Sequence, residues 1–139
     1  MSPRFARQDR TLSSSSPIRV LLCDDVQAFR ALVRYFLEDE EDIVVVGEAA
    51  DGNEGIRQAR ELQPDVILLD LSMPECDGLE AIPVIAERAP HARIVALSGF
   101  TAGRMAEPVL ARGAMAYLEK GGELSEIVST IRGVYAAAA

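Results

Sequence analysis

Cysteine is scarce in this sequence: Cys23 and Cys76 stand alone and far apart. Two lone thiols make no zinc ligand set, and a reduced compartment suits them best. Long hydrophobic runs are missing, and nothing approaches the roughly 18 apolar residues of a membrane span. The opening stretch MSPRFARQDRTLSSSSP has no apolar h-region, so no secretory signal is expected. Bases are few, 14 against 22 acids, giving a net charge of −8. So acidic a surface suits a polyanion poorly, which argues against direct nucleic-acid binding by this domain. Neither G-x-G-x-x-G nor G-x-x-x-x-G-K-[ST] follows a strand, so nucleotide binding is not expected. Internal repeats are absent. Together these features predict a cytoplasmic protein with no membrane contact.

What remains is one domain's worth of chain: 139 residues, 49% hydrophobic and 26% charged. Residues 1–17, with Arg4, Arg7, Arg10 and four consecutive serines, lack periodicity and read as a disordered tail. From Ile18 the chain alternates between two patterns. Short apolar runs at 18–23, 43–49, 66–70, 93–98 and 114–119 have strand length. The second and third are apolar almost throughout, as strands covered on both faces should be. Between them lie helical stripes, Phe29, Leu32, Val33, Phe36 and Leu37 in one, Leu124, Ile127, Val128, Ile131 and Tyr135 in another. Weaker stripes follow Asp51 and Gly78. Five strands alternating with five helices predict an α/β fold, a parallel sheet with helices on both sides. Gly113 falls where a helix must end before the fifth strand. Gly103 and Pro108 predict that the fourth helix starts close to Pro108 and that a mobile loop over 99–107 precedes it. Residues 136–139 read as a frayed end or a truncation scar.

Ligands of an open parallel sheet bind at the carboxyl ends of its strands. Asp24 and Asp25 follow the first strand, Asp70 closes the third, Ser98 ends the fourth and Lys120 follows the fifth. Two carboxylates about 4 Å apart repel by about 4 kcal/mol at an effective dielectric near 20. A divalent cation removes that cost, and oxygen-only ligands select a hard ion such as Mg2+. The plainer reading makes an aspartate the N-cap of a helix beginning near Val26. Two adjacent aspartates with a third at the neighbouring strand end favour the metal. Cys23 and Cys76 read as inert, and His91, in a helix-to-strand loop, as lying far from the strand ends.

From Ile18 to Tyr135 the chain resembles a receiver domain of two-component response regulators. The resemblance rests on LLCDD, ILLDLSMPECDG, ALSG and AYLEK at successive strand ends. The ending YLEKGGELSEIVSTIRGV is similar to the subgroup that usually carries a helix-turn-helix output domain. The resemblance implies a doubly wound sheet of flavodoxin-like order 2-1-3-4-5 over residues 18–135. It also implies a phosphorylation-dependent signalling switch. Asp70 would take a phosphoryl group from a sensor histidine kinase or phosphotransfer protein. Mg2+ would be held by the side chains of Asp25 and Asp70, the backbone carbonyl of Ser72, and Asp24 through water. Lys120 and Ser98 would contact phosphoryl oxygens, and Tyr117 would swing inward as Ser98 moves. Ser72 and Phe100 would border the path of the hydrolytic water and make decay slow.

Such a domain is an enzyme only in catalysing its own phosphoryl transfer and autodephosphorylation. The alternative is a receiver-like interaction module that works without phosphate; the acceptor, the acids and the lysine are all present, which counts against it. A phosphatase of the haloacid-dehalogenase kind needs an aspartate two residues after the nucleophile, where this chain has Ser72. Gly121 stands where the family commonly has a proline after the lysine, so a cis peptide is in doubt. The residues after Lys120 are too few for a helix-turn-helix, leaving a single-domain regulator or part of a longer one. An output domain or target protein, and a phosphorylation-dependent homodimer, are the further partners expected.

Overall fold

Period-two alternation of apolar side chains along each central strand decides the architecture. On β1 (Ile18–Cys23), Ile18, Val20 and Leu22 enter one core, while Leu21 and Cys23 enter another. On β3 (Val66–Asp70), Val66 and Leu68 separate from Ile67 and Leu69 in the same way. On β4 (Arg93–Ser98), Val95 and Leu97 separate from Ile94 and Ala96. A sheet apolar on both faces needs a helical layer on each. In this computed structural model, which describes residues 16–73, 77–99 and 102–137, both layers are present. Helices α1 (Gln27–Glu38) and α5 (Leu124–Ala137) cover one face. Helices α2 (Gly52–Leu62), α3 (Gly78–Arg88) and α4 (Ala102–Arg112) cover the other.

The remaining strands are β2 (Ile43–Ala49) and β5 (Ala116–Glu119). All pairings are parallel, in the order β2-β1-β3-β4-β5, which is the expected 2-1-3-4-5. That order turns back between β1 and β3, and a crevice opens at the carboxyl ends of these two strands. Asp24 and Asp25 just after β1, Asp70 closing β3 and Ser72 just after it lie at this crevice.

Several expectations need correction. β2 is an edge strand, so its side chains are not covered throughout; Val44 is 37% exposed. A bulge between its pairings with Val20 and Leu21 shifts its register. β5 starts at Ala116, not 114. The α1 stripe buries Val33 and Leu37 with Phe29 and Phe36 against the core, but Leu32 is 50% exposed. On α5 the last turns bury Ile131 and Val134, and Tyr135 points partly outward. The helix itself continues to Ala137, two residues past the expected domain end.

The larger correction concerns α4. It begins at Ala102 and contains Pro108 in its interior, so the helix does not wait for the proline. An interior proline costs about 3 kcal/mol relative to alanine. Its neighbour Val109 is fully buried, and burying a valine returns about 2 kcal/mol. α3 tolerates Pro83 in the same way beside the buried Ala81, Ile82 and Ile85. Burial of neighbouring side chains thus offsets much of the cost of the proline in α4, and α3 sets its proline among buried residues too. α4 does end as expected at Gly113, whose φ of 126° suits a residue without a Cβ. The tail over residues 1–15, Cys76, Phe100 and residues 138–139 lie outside the described residues.

Candidate functional site

β1 delivers Asp24 and Asp25 to the crevice, and β3 delivers Asp70 one strand away. Carboxylate oxygens of the three lie within 4.8 Å of one another. Asp24 is 3% exposed and Asp70 2% exposed, whereas Asp25 is open to solvent. Asp24 does not cap α1: the N-cap residue is Val26, and α1 has no side-chain cap. Asp24 Oδ1 instead accepts a hydrogen bond from the Val26 amide at 2.8 Å, which closes the turn that presents Asp25. Asp70 Oδ1 accepts from the Ser72 amide at 3.1 Å, the same device on the neighbouring strand.

Lys120 reaches this cluster from the end of β5. Its Nζ lies 2.8 Å from Asp24 Oδ2 and 3.6 Å from Asp70 Oδ2. Its main chain is tied down too, because the Lys120 amide donates to the Ser98 carbonyl at 2.9 Å. Ser98 is fully buried at the end of β4, opposite Glu119 in register. Tyr117 is half-buried and packs against the core on the α2, α3 and α4 face. Among the described residues no peptide is cis, so Lys120–Gly121 is trans. His91 is exposed in the α3–β4 loop, away from the crevice, and Cys23 is buried. Burial pushes the Cys23 thiol above its ordinary range, which keeps it protonated and inert.

Burial also pushes the Asp70 carboxyl up, to about 6, against the Ser72 hydrogen bond; the Asp24 charge raises it further and Lys120 opposes. Asp24 Oδ2 accepts no well-angled hydrogen bond from the described residues, and the ammonium alone offsets its charge. Three carboxylates against one ammonium leave the crevice short of positive charge. The donor set is all oxygen and clustered, which fits a hard divalent cation.

Three features of the site escaped the sequence reading. Lys120 Nζ sits 4.6 Å from the centroid of the Phe29 ring, a cation–π contact from α1. Arg30 Nη1 donates to the Asp24 carbonyl at 2.6 Å. Gly78 opens α3 so close behind the end of β3 that a Cβ would stand 2.7 Å from Leu71 Cα, and nearer still to the Asp70 carbonyl. The DG pair at 77–78 was a visible signal for the last, since Asp77 caps α3 and glycine permits the approach. The other two depend on helix rotation and had no local signal.

Comparison with known proteins agrees with this geometry. Residues 20–132 match the family model described as the response regulator receiver domain. The chain is 45% identical over 115 residues to the transcriptional regulatory protein LiaR of Bacillus subtilis, covering 83% of this chain and 54% of that protein. It is 42% identical over 118 residues to the response regulator UvrY of Escherichia coli, covering 85% and 54% respectively. The chain therefore spans about half the length of the curated relatives it matches. Among solved structures, the receiver domain of the putative response regulator NarL from Mycobacterium tuberculosis superposes with a TM-score of 0.82 at 29% identity, covering 86% of this chain and 97% of that one. A LuxR-family response regulator from Aurantimonas gives 0.83 at 32% identity, with 88% and 87% covered. No helix among the described residues is long and apolar enough to cross a membrane. With the 2-1-3-4-5 sheet, the acidic crevice and these likenesses together, the chain belongs to the response regulator receiver domains, a family of phosphorylation-dependent signalling switches.

Proposed function

We propose that Asp70 is the phosphoacceptor and that the donor is a histidine kinase or a phosphotransfer protein. One observation carries this reading: a buried carboxylate at a central strand end faces two further carboxylates and an ammonium. An Asp70 carboxylate oxygen attacks phosphorus in line. The bond from phosphorus to the donor histidine nitrogen breaks, its electron pair leaves with the imidazole, and an acyl phosphate remains on Asp70. Little covalent work falls to the protein in such a transfer; positioning and charge neutralisation carry it.

The side chains of Asp25 and Asp70, the Ser72 carbonyl and, through water, Asp24 would hold Mg2+. When bound, that ion neutralises charge on the phosphoryl oxygens. Lys120 moves its ammonium from Asp24 toward a phosphoryl oxygen, and Ser98 donates a hydrogen bond to another. Tyr117 follows Ser98 inward and reports the change on the outer face of β5. Ser72 offers only a short hydroxyl to orient the hydrolytic water and the phenylalanine at position 100 has no hydrogen-bonding group, so slow decay of the phosphoryl group is expected. Relatives about twice as long are named transcriptional regulators, which supports an output domain or target protein as the receiver of the signal. A phosphorylation-dependent homodimer, a cytoplasmic location and the absence of direct nucleic-acid contact by this domain complete the reading.

The test is Asp25→Ala. The variant should keep its fold and lose Mg2+-dependent phosphorylation by a small phosphodonor. Wild-type Mg2+ affinity in that variant would contradict the assignment.

A further inference from the structure

Asp24 is held at both ends of its main chain. Its amide donates to the Ala49 carbonyl on β2 at 2.9 Å. Its carbonyl accepts from Arg30 Nη1 on the first turn of α1, at 2.6 Å. The Arg30 side chain is 14% exposed, so this is a largely desolvated, charge-assisted bond. The guanidinium has a second anchor: Nε donates to Glu48 Oε1 at 2.9 Å. Glu48 is fixed in turn, by Arg34 through Oε2 and by Gln58 Nε2, which donates to its carbonyl at 2.6 Å. The hydrogen bond from Arg30, aided by Arg34, holds the Glu48 carboxyl below its ordinary range, so the anchor stays charged.

The Asp24 carbonyl belongs to the peptide that joins Asp24 to Asp25. Its orientation sets where the Asp25 side chain leaves the backbone. A free carbonyl could rotate with that peptide plane, and the spacing of the two carboxylates would loosen. The geometry points to Arg30, fixed by Glu48, as a positioning residue that orients the Asp24–Asp25 peptide and so tunes the acidic cluster for a divalent cation. This role rests on the reading of the cluster as a Mg2+ site. Arginine suits it because one planar fork serves a carbonyl and a carboxylate at once, which a lysine cannot do. A purely structural ion pair would predict lost stability with unchanged metal affinity.

The experiment titrates Mg2+ into the full chain and follows backbone amide shifts at Asp24, Asp25 and Asp70, with an unfolding midpoint for each variant. Arg30→Met should bind Mg2+ about tenfold more weakly, as loss of a group that orients a ligand typically does. Arg30→Lys should fall between it and wild type, and Glu48→Gln should lose less, because its amide oxygen still accepts from Arg30. Arg132→Met removes a surface cluster with Asp42 and Glu40 far from the site and should leave affinity unchanged. Wild-type affinity in folded Arg30→Met overturns the role, as does an equal loss in Arg132→Met. Should Arg30→Met fail to fold, unchanged affinity in both Arg30→Lys and Glu48→Gln overturns it. Wild-type protein that shows no saturable shifts would sink the metal reading itself, and this role with it.

Discussion

Lys120 sits closer to Asp24 than to Asp70: its ammonium is 2.8 Å from the first and 3.6 Å from the second. The proposed acceptor is thus left partly uncompensated, and the lysine is parked on a neighbouring acid from which a phosphoryl group can draw it. Replacing Lys120 by methionine strands a buried carboxylate on Asp24. Removing one partner of such a pair costs about 3 kcal/mol or more. Denaturant unfolding without metal should show that loss. Added Mg2+ should raise the unfolding temperature of Lys120→Met by more than it raises wild type, because the cation replaces the missing charge. An equal rise in both would contradict this.

Asp70 gives the apo protein a defined pH dependence. Its folded-state value, about 6, lies above the 3.8 of an unperturbed aspartate. Between these values the native state binds more protons than the unfolded chain, so this group's contribution to stability falls as pH rises from about 4 to about 6. Above that window the destabilisation is complete. Asp70→Asn, measured in chelator, should therefore stabilise the protein near pH 7.5 by on the order of 2–3 kcal/mol. The gain should vanish near pH 4. A gain independent of pH would exclude the titration of Asp70 as its cause.

Gly78 packs α3 against the end of β3, which carries the proposed acceptor. Helix propensity alone favours alanine there by about 1 kcal/mol. The added Cβ would meet main chain at Asp70 and Leu71, which cannot move aside as a side chain can. Overpacking of this kind costs about 3 kcal/mol. Gly78→Ala should therefore lower stability and slow phosphorylation together; a more stable variant with wild-type phosphorylation would refute the close approach.

The strand ends carried most of what the sequence could tell. Asp24, Asp25, Asp70, Ser98 and Lys120 meet at one edge because each sits at or just after an apolar run, and a parallel sheet brings those ends together. The unbroken apolar run at 66–70 likewise read as a strand covered on both faces, which β3 is. What stayed hidden depends on tertiary neighbours. Val44 reads as core until β2 is known to be an edge. Pro108 reads as a helix start until Val109 is seen fully buried beside it. Phe29 and Arg30 are adjacent on α1, and no spacing rule says that one meets Lys120 and the other the Asp24 carbonyl.

The most direct test of the switch is the mass of the intact chain after incubation with Mg2+ and a small phosphodonor such as acetyl phosphate. Wild type should gain one phosphoryl group, chelation of the metal should abolish the gain, and Asp70→Asn should stay unmodified. Labelling of Asp70→Asn at the wild-type rate would contradict the assignment of the acceptor.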